Sequence, residues 1–277
     1  MIVKTTGDGI TDRPLYDAGG KGLFVKELEQ ALLNDQIDVA VHSCKDVPTT
    51  MPLVDQQDLT IAAIPLRGDP RDLLISRKAA TIDTLHAGAT IGTGSLRRRC
   101  QILERRPDLK VEPLRGNIDT RLKRLREGGF DAAILAFAGI ERAGLVDHDW
   151  MHAIGADVLL PAAGQGALAL QCRRADDSTI ALLRSVDDPT THACVLAERS
   201  IVAAVDGDCH SPIGALAQII DQEVWVRAVI GRRDGEPPTV AAEARMPFSD
   251  LPQAVSAVIV RLREQGVGKL LHGLADS

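Results

Sequence analysis

The stretch that decides the fold begins ATIGTGSLRRRCQILERR at residue 89 and continues to residue 136. Short apolar runs that favour strands alternate there with amphipathic stretches that favour helices. The strand-like runs are residues 89–92, 110–114 and 132–136, and the helix-like runs are residues 95–104 and 118–126. Strand–helix alternation of this kind predicts α/β layers with mixed, mainly parallel sheets.

The preceding and following stretches extend this pattern. A helix is predicted at residues 24–33, followed by strands at residues 37–42 and 59–64. The segment LRGDPRD (66–72) is typical of a hinge because a glycine and a proline punctuate it. The segment LPAAGQGALALQC (160–172) has the composition of a return crossing that ends in a strand.

The pattern changes near residue 188. A helix is predicted at residues 191–205, strands at residues 215–220 and 224–231, and a last helix at residues 251–265. Strands joined by hairpins and flanked by two helices indicate a small α+β domain at the C-terminal end.

Composition narrows the class of protein. With 277 residues, 45% of them hydrophobic and 25% charged, the chain suggests two or three modest globular domains. No stretch approaches the eighteen or so apolar residues of a membrane span, and no secretory signal is visible. The five cysteines are scattered without a CxxC pair, which argues against a disulfide framework and a zinc site. We therefore expect a cytoplasmic protein with no metal.

Positive charge is concentrated in one part of an acidic chain. The net charge is −6, yet residues 92–126 hold eleven lysines and arginines against four acids. This imbalance predicts an anionic partner bound at one place. Nucleic acid is one candidate, but seven aromatic residues offer little for base stacking. Small polycarboxylates or phosphates fit the pattern better.

The segment GTGSLRRRCQ (92–101) places Arg97, Arg98 and Arg99 in the first turn of a predicted helix capped by Ser95. Exposed cations there oppose the helix dipole, at a cost of about 0.3–1 kcal/mol each. A bound carboxylate or phosphate would reverse this cost, because helix N-termini and guanidinium groups both bind oxyanions. Three solvated arginines are the alternative.

The segment LRGNIDTRLKRL (114–125) has a similar arrangement. Arg115 ends a predicted strand, Asn117 is a good N-cap, and Arg121 and Arg124 share one helix face. A solvated basic face is again the alternative. However, two arginine-bearing helix starts at the same end of adjacent parallel strands would converge, and ligands of open α/β sheets bind at that end. The sequence therefore favours an anion site.

The segment HSCKDVP (42–48) follows a predicted buried strand. Asp46 is a candidate general acid/base or a partner for a cationic intermediate, and its alternative role is to cap a turn. Lys45 could pair with a carboxylate or face water. His42 is more typical of a packed strand-end residue than of a catalyst.

Cys209 lies in the polar loop DGDCHSPIG, where a thiol gains little from packing, so it is a candidate covalent attachment point. The other cysteines lie in or beside predicted helices and strands and are expected to pack as small hydrophobic residues. They are Cys44, Cys100, Cys172 and Cys194. The segment GGKGLFVKE (19–27), with Lys21 and Phe24, could be a lid over a ligand or simply a flexible loop.

Taken together, these segments resemble the porphobilinogen deaminase (hydroxymethylbilane synthase) family over essentially the whole chain. The motifs that carry the resemblance are GGKGLFVKELE, DVAVHSCKDVP, GDPRD, GTGSLRRRCQ, ERRPDL, LRGNIDTRL, DAAILAFAGIERAGL, LPAAGQGAL and GDCHSPIG, in this order.

The resemblance implies three domains, of which the first two are like the lobes of periplasmic binding proteins with the active site between them. On this sequence they are residues 1–64 with 164–186, residues 67–160 and residues 188–277. It further implies a transferase of tetrapyrrole biosynthesis with a covalent dipyrromethane cofactor. Such an enzyme joins four porphobilinogen molecules head to tail, releasing ammonia, and then frees hydroxymethylbilane.

The resemblance also implies roles for individual residues. Cys209 would carry the cofactor through a thioether, and Asp46 would be catalytic. The remaining matches are cofactor or substrate contacts: Ser43, Lys45, Ser95, Arg97, Arg98, Gln165, Arg115, Arg121 and Arg142, with Lys21 and Phe24 in the lid. The arginines would hold the acetate and propionate groups of the pyrroles.

The chain departs from the family pattern at its start. Family members have a further strand and helix before the position of Met1, and that segment carries additional active-site side chains. Either the start is misassigned or truncated, or the chain is a weakened or inactive relative. The alternative to an active synthase is thus a truncated, inactive relative that binds a small polycarboxylate. We also expect a monomer that binds neither nucleic acid nor membranes.

Overall fold

The computed structural model describes residues 25–49, 58–208 and 211–272, which form three β-sheets with helices packed on them. The strands are β1 (Ala40–Ser43), β2 (Leu59–Ala63), β3 (Asp72–Ile75), β4 (Thr90–Gly92), β5 (Lys110–Glu112), β6 (Ala132–Ala136), β7 (Met151–Ile154), β8 (Leu168–Arg173), β9 (Ile213–Ile220), β10 (Glu223–Ile230) and β11 (Val240–Pro247). The helices are α1 (Lys26–Leu33), α2 (Leu96–Arg105), α3 (Ile118–Arg126), α4 (Phe137–Arg142), α5 (Asp177–Arg184), α6 (Pro189–Ala204), α7 (Leu251–Glu264) and α8 (Val267–His272).

The first sheet has the strand order β1–β8–β2, and β8 runs antiparallel to both neighbours. Helix α1 packs on β1 and β8, and helix α5 packs on β2 and β8. The four central residues of β8 are all buried, as expected for a strand covered on both faces.

The second sheet has the order β5–β4–β6–β3–β7. Leu103 of α2 belongs to a core cluster with Ile91 and Ile134, while Leu122 of α3 belongs to a separate cluster with Leu135. Successive residues of a strand point to opposite faces, so the two helices cover opposite faces of β6. This is the α/β layering that the sequence predicts.

The prediction of mainly parallel pairing is wrong for the described strands, although the mixed α/β class is confirmed. In the first two sheets only the ladders of β4 with β5 and β6 are parallel. Strands β3 and β8 each follow a crossing between the two sheets and run antiparallel to their neighbours. The buried strand pattern specifies burial but not direction, so the sequence did not reveal this.

The third sheet is a meander in the order β11–β10–β9, and α6 and α7 pack against it around one core cluster. Asp221 and Gln222 form the turn between β9 and β10 with positive φ of 50° and 70°. Two such residues are typical of a tight β-hairpin. The small α+β unit expected at the C-terminal end is therefore confirmed. Within the described ranges no helix has the length and apolar character to cross a membrane.

Candidate active-site cleft

One wall of the cleft is the loop that follows β1. The chain makes a single 3-10 turn over Cys44–Asp46. This turn buries Cys44 completely, leaves Ser43 and Asp46 exposed, and leaves Lys45 partly exposed. The packing of one apolar side chain thus presents polar neighbours at the sheet edge.

One side chain fixes this loop, and a second contact holds the strand that precedes it. Arg199 of α6 donates hydrogen bonds to the carbonyl oxygens of Val47 at 2.8 Å and Pro48 at 2.6 Å. His42 is buried, and its Nε2 lies 2.9 Å from Oε1 of Gln171. The burial of His42 lowers its pKa, and the contact with Gln171 offsets part of that effect. His42 is therefore a packed residue, as the sequence predicts.

The opposite wall is built on Asp72, the first residue of β3. Nη2 of Arg97 donates to Oδ2 of Asp72 at 2.9 Å, and Nη2 of Arg98 donates to Oδ1 at 2.8 Å. The Nη1 atoms donate to the carbonyl oxygens of Leu160 at 2.6 Å and Ile134 at 2.9 Å. All three charged side chains are buried.

This arrangement corrects one alternative from the sequence. Arg97 and Arg98 are not solvated; an internal carboxylate pairs with both. Arg99 is the more exposed arginine of the turn and forms an ion pair with Glu236. The predicted N-cap is confirmed, because the Ser95 side chain accepts a hydrogen bond from the amide of Arg98 at 3.4 Å.

The charge of Asp72 is stable in this environment. Burial raises its pKa, but Arg97, Arg98 and a hydrogen bond from Gln165 lower it more, so the net pKa lies well below its usual range. One carboxylate against two guanidinium groups leaves the group with one excess positive charge. The Nε atom of Arg98 is buried without a hydrogen-bond partner among the described residues.

Arg115 and Arg121 add two further cations. No carboxylate forms an ion pair with either of them in the described parts of the chain, and the buried Nε of Arg121 has no hydrogen-bond partner there. Burial lowers the pKa of Arg121, as do the charges of Arg98 and Arg115, whereas Asp46 raises it. The predicted convergence of the two arginine-bearing segments is therefore present.

Lys45 connects the two walls electrostatically. It lies deep among protein atoms although part of its surface is open, and this burial lowers its pKa. Asp46 and Asp72 raise the pKa of Lys45, and Arg97 and Arg98 lower it. Charges carried by the first and second sheets therefore lie close enough to Lys45 to act on its pKa.

The floor of the cleft is formed by the two crossing segments. Nε2 of Gln165 donates to the Pro70 carbonyl at 2.7 Å and to Oδ1 of Asp72 at 2.8 Å, while its buried Oε1 has no partner among the described residues. Arg142 donates to the Gly166 carbonyl at 2.7 Å. Its guanidinium therefore braces the crossing at the edge of the cleft.

A buried carboxylate joins the third sheet to this floor. Glu198 of α6 is fully buried, accepts hydrogen bonds from the amides of Gly164 at 2.7 Å and Ala217 at 3.0 Å, and pairs with Arg67 at 2.7 Å. Sequence reasoning missed Glu198 and its neighbour Arg199. The signal was available, because an acid within a mostly apolar helix surface needs a partner.

Three of the predicted site residues, Lys21, Phe24 and Cys209, lie outside the described residues. The four described cysteines are buried, as predicted. Burial raises the pKa of Cys44 to about 11 and that of Cys100 to about 12, so both thiols stay protonated at neutral pH. No cluster of histidines, cysteines and acids suited to a metal occurs within the described ranges.

The structure defines an α/β protein in which ends of the first two sheets bring Lys45 and several arginines close together. Residues 1–181 match the family model "Porphobilinogen deaminase, dipyromethane cofactor binding domain", and residues 192–256 match "Porphobilinogen deaminase, C-terminal domain". This chain belongs to the porphobilinogen deaminase family.

Curated relatives agree with the family models. A porphobilinogen deaminase from Sorangium cellulosum is 48% identical over 235 residues, which is 85% of this chain and 77% of the relative. One from Roseiflexus sp. strain RS-1 is 44% identical over 271 residues, which is 98% of this chain and 87% of the relative. The alternative of a non-catalytic polycarboxylate-binding protein is not favoured, because these relatives are named as enzymes.

A solved substrate-binding protein of an amino acid ABC transporter is also similar, with 15% identity, a TM-score of 0.33, and coverage of 64% of this chain and 70% of that protein. That likeness is too low to support an argument about fold or ligand.

Proposed function

We propose that the chain is a transferase that joins four porphobilinogen molecules head to tail with release of ammonia and yields hydroxymethylbilane for tetrapyrrole biosynthesis. The observation that carries this proposal is the cleft itself. Asp46 faces cations that lack carboxylate partners in the described structure, and each pyrrole of the product bears two carboxylates. We further propose a monomer in the cytoplasm.

We propose three domains: residues 1–64 with 164–186, residues 67–160 and residues 188–277. Their support is the three separate sheets, each with its own helices. The cleft lies between the first two, and α6 of the third contacts both the loop that carries Asp46 and the floor.

The cleft fits the dipyrromethane cofactor named in the family model. A dipyrromethane carries four carboxylates, and the cleft offers buried donors without partners, Nε of Arg98 and of Arg121. We assign the thioether to Cys209 and the further cofactor contacts to Ser43, Lys45, Ser95, Arg97, Arg98 and Gln165. The cofactor supplies the pyrrole end to which each new substrate is joined.

The structure supports a division of labour among these residues. Arg97 and Arg98 are held by Asp72, so each keeps a fixed position and the group offers one net positive charge. Arg115 and Arg121 form no ion pair with a carboxylate in the described structure, so their charges are available to the carboxylates of a growing chain. We assign substrate contacts to Arg97, Arg115, Arg121 and Arg142, together with Lys21 and Phe24.

Asp46 is the proposed proton carrier. It is exposed to the cleft at the end of a turn fixed by Arg199, and it lies near Lys45 and Arg121. In this position it can donate a proton to the leaving amine and then stabilise positive charge at a pyrrole N–H. General acid catalysis of this kind contributes a factor of about 10²–10⁴ to the rate.

The mass of the intact purified protein tests the cofactor proposal. Wild type should carry the added mass of a dipyrromethane, Cys209→Ser should lose it, and Cys100→Ser should keep it because Cys100 is buried in the second lobe. A wild-type protein without added mass, even when supplied with porphobilinogen or preformed tetrapyrrole, would contradict the proposal.

Asp46→Ala tests the proton carrier separately. The variant should keep its fold and cofactor mass, while product formation falls at least about 100-fold. The exposed Asp149→Ala should behave as wild type. Wild-type turnover by Asp46→Ala would remove this residue from the mechanism.

A further inference from the structure

A second group of cations, Arg77, Lys78 and Arg126, lies at the end of the second sheet that is remote from the cleft. β3 starts in the cleft at Asp72 and leads away from it to Arg77, and β6 starts just after Asp131 and ends near the cleft. A strand of five residues spans about 17 Å. The length of the sheet therefore separates this group from the cleft.

These residues line a cavity of about 580 Å³. Its charged side is formed by Arg77, Lys78 and Arg126, and its apolar side by Leu125, Phe130 and Trp150. The volume is within the range of about 300–1,000 Å³ that is typical of sites for small organic molecules.

Trp150 positions the two guanidinium groups. Its side chain is buried, and the guanidinium carbons of Arg77 and Arg126 lie 5.2 Å and 5.5 Å from its ring centroid. At these distances each guanidinium is attracted to the π-system of the same ring. The indole N–H of Trp150 is buried and has no hydrogen-bond partner among the described residues.

The acid that lines this cavity is already engaged. Asp131 accepts hydrogen bonds from Nζ of Lys78 at 2.8 Å and from the Thr90 amide at 2.9 Å, and its Oδ1 lies 3.3 Å from His86. Neither Arg77 nor Arg126 forms an ion pair with a carboxylate in the described parts of the chain. Two positive charges at the cavity are therefore uncompensated.

We propose that this cavity binds a small aromatic anion, a flat ring that carries a phosphate or carboxylate group. The anionic group pairs with Arg77 and Arg126, which both contact the Trp150 ring and both line the cavity. The ring packs on Phe130 and Leu125. A bare inorganic ion fills only a small part of the volume and leaves the apolar side in contact with water. This site is separate from the proposed catalytic cleft.

Trp150 provides the readout for a test. The chain has two tryptophans, so Trp225→Phe leaves Trp150 as the only indole fluorophore. In this background phenyl phosphate should change the fluorescence of Trp150 saturably. The double variant Arg77→Gln/Arg126→Gln should raise Kd at least tenfold, and the exposed Arg233→Gln should leave Kd within twofold.

Three further titrations separate the contributions. Inorganic phosphate, which lacks the ring, and benzyl alcohol, which lacks the charge, should each bind at least tenfold more weakly than phenyl phosphate. Arg121→Gln should not change Kd, because Arg121 lies in the cleft. Equal Kd for phenyl phosphate and inorganic phosphate, an unchanged Kd in the double variant, or no fluorescence change would overturn the proposal.

Discussion

Replacing Asp72 by asparagine tests whether the buried ion group stabilises the protein. The change keeps the shape of the side chain but removes the charge that offsets Arg97 and Arg98, which are only 4% and 7% exposed. Removing one partner of a buried pair costs about 3–5 kcal/mol. Since Leu160 and Ile134 still accept hydrogen bonds from the arginines, we expect the lower end, about 3 kcal/mol of unfolding free energy.

The pH dependence of this loss has a definite sign. The folded-state pKa of Asp72 is depressed, so its contribution is fully present above the unfolded-state pKa of about 4. The contribution is lost as pH falls through the folded-state pKa. The difference between wild type and Asp72→Asn should therefore be constant from pH 7 to pH 5 and should shrink below about pH 4.

Urea unfolding followed by circular dichroism measures both effects. Asp83→Asn is the matched control, because Asp83 also pairs with an arginine, Arg105 at 2.6 Å, but both side chains are more than 40% exposed. The control should lose no more than about 1 kcal/mol. Equal losses in Asp72→Asn and Asp83→Asn, or a loss by Asp72→Asn that is the same at every pH, would refute the electrostatic explanation.

Two further changes probe the loop and the crossing. Arg199→Met should lower kcat about 10- to 100-fold with little change in KM, because the loop that carries Asp46 loses the hydrogen bonds that fix it. The control is Ser200→Ala, at the adjacent exposed residue, which should have wild-type kinetics. A normal kcat in Arg199→Met would contradict this role. Gly166→Ala should lower the unfolding free energy by about 1–3 kcal/mol more than Gly88→Ala. Both glycines have positive φ, but only at Gly166 would an added Cβ lie 2.6 Å from a backbone carbonyl oxygen. Equal losses of unfolding free energy in urea would exclude this clash as the cause.

Much of the fold could be predicted because local pattern determines it. The helix starts at Ser95 and Asn117 carry side chains that cap the helix, and both caps are present. Strand direction could not be predicted. The apolar residues of β8 are compatible with a parallel or an antiparallel strand. Only the path of the chain between the sheets makes β8 antiparallel to its neighbours.

The site could be predicted only where several of its residues form a cluster of positive charge in the sequence. The convergence of Arg98, Arg115 and Arg121 follows from the positions of two helix starts at one sheet edge. The pairing of Arg97 and Arg98 with Asp72 is a contact across 25 and 26 residues, so no local pattern reveals it. Because of this pairing, Arg97 and Arg98 are buried cations in fixed positions and not solvated surface cations.

Helix α6 has a consequence for how the cleft can move. Glu198 and Arg199 are consecutive and therefore point about 100° apart around the helix axis. Glu198 accepts a hydrogen bond from the floor, and Arg199 donates hydrogen bonds to the loop next to Asp46. A rotation of this helix about its axis, or a translation along it, must therefore change both sets of hydrogen bonds together. Any shift of the loop next to Asp46 relative to the floor is thus coupled to the position of α6 and of the third sheet on which it packs.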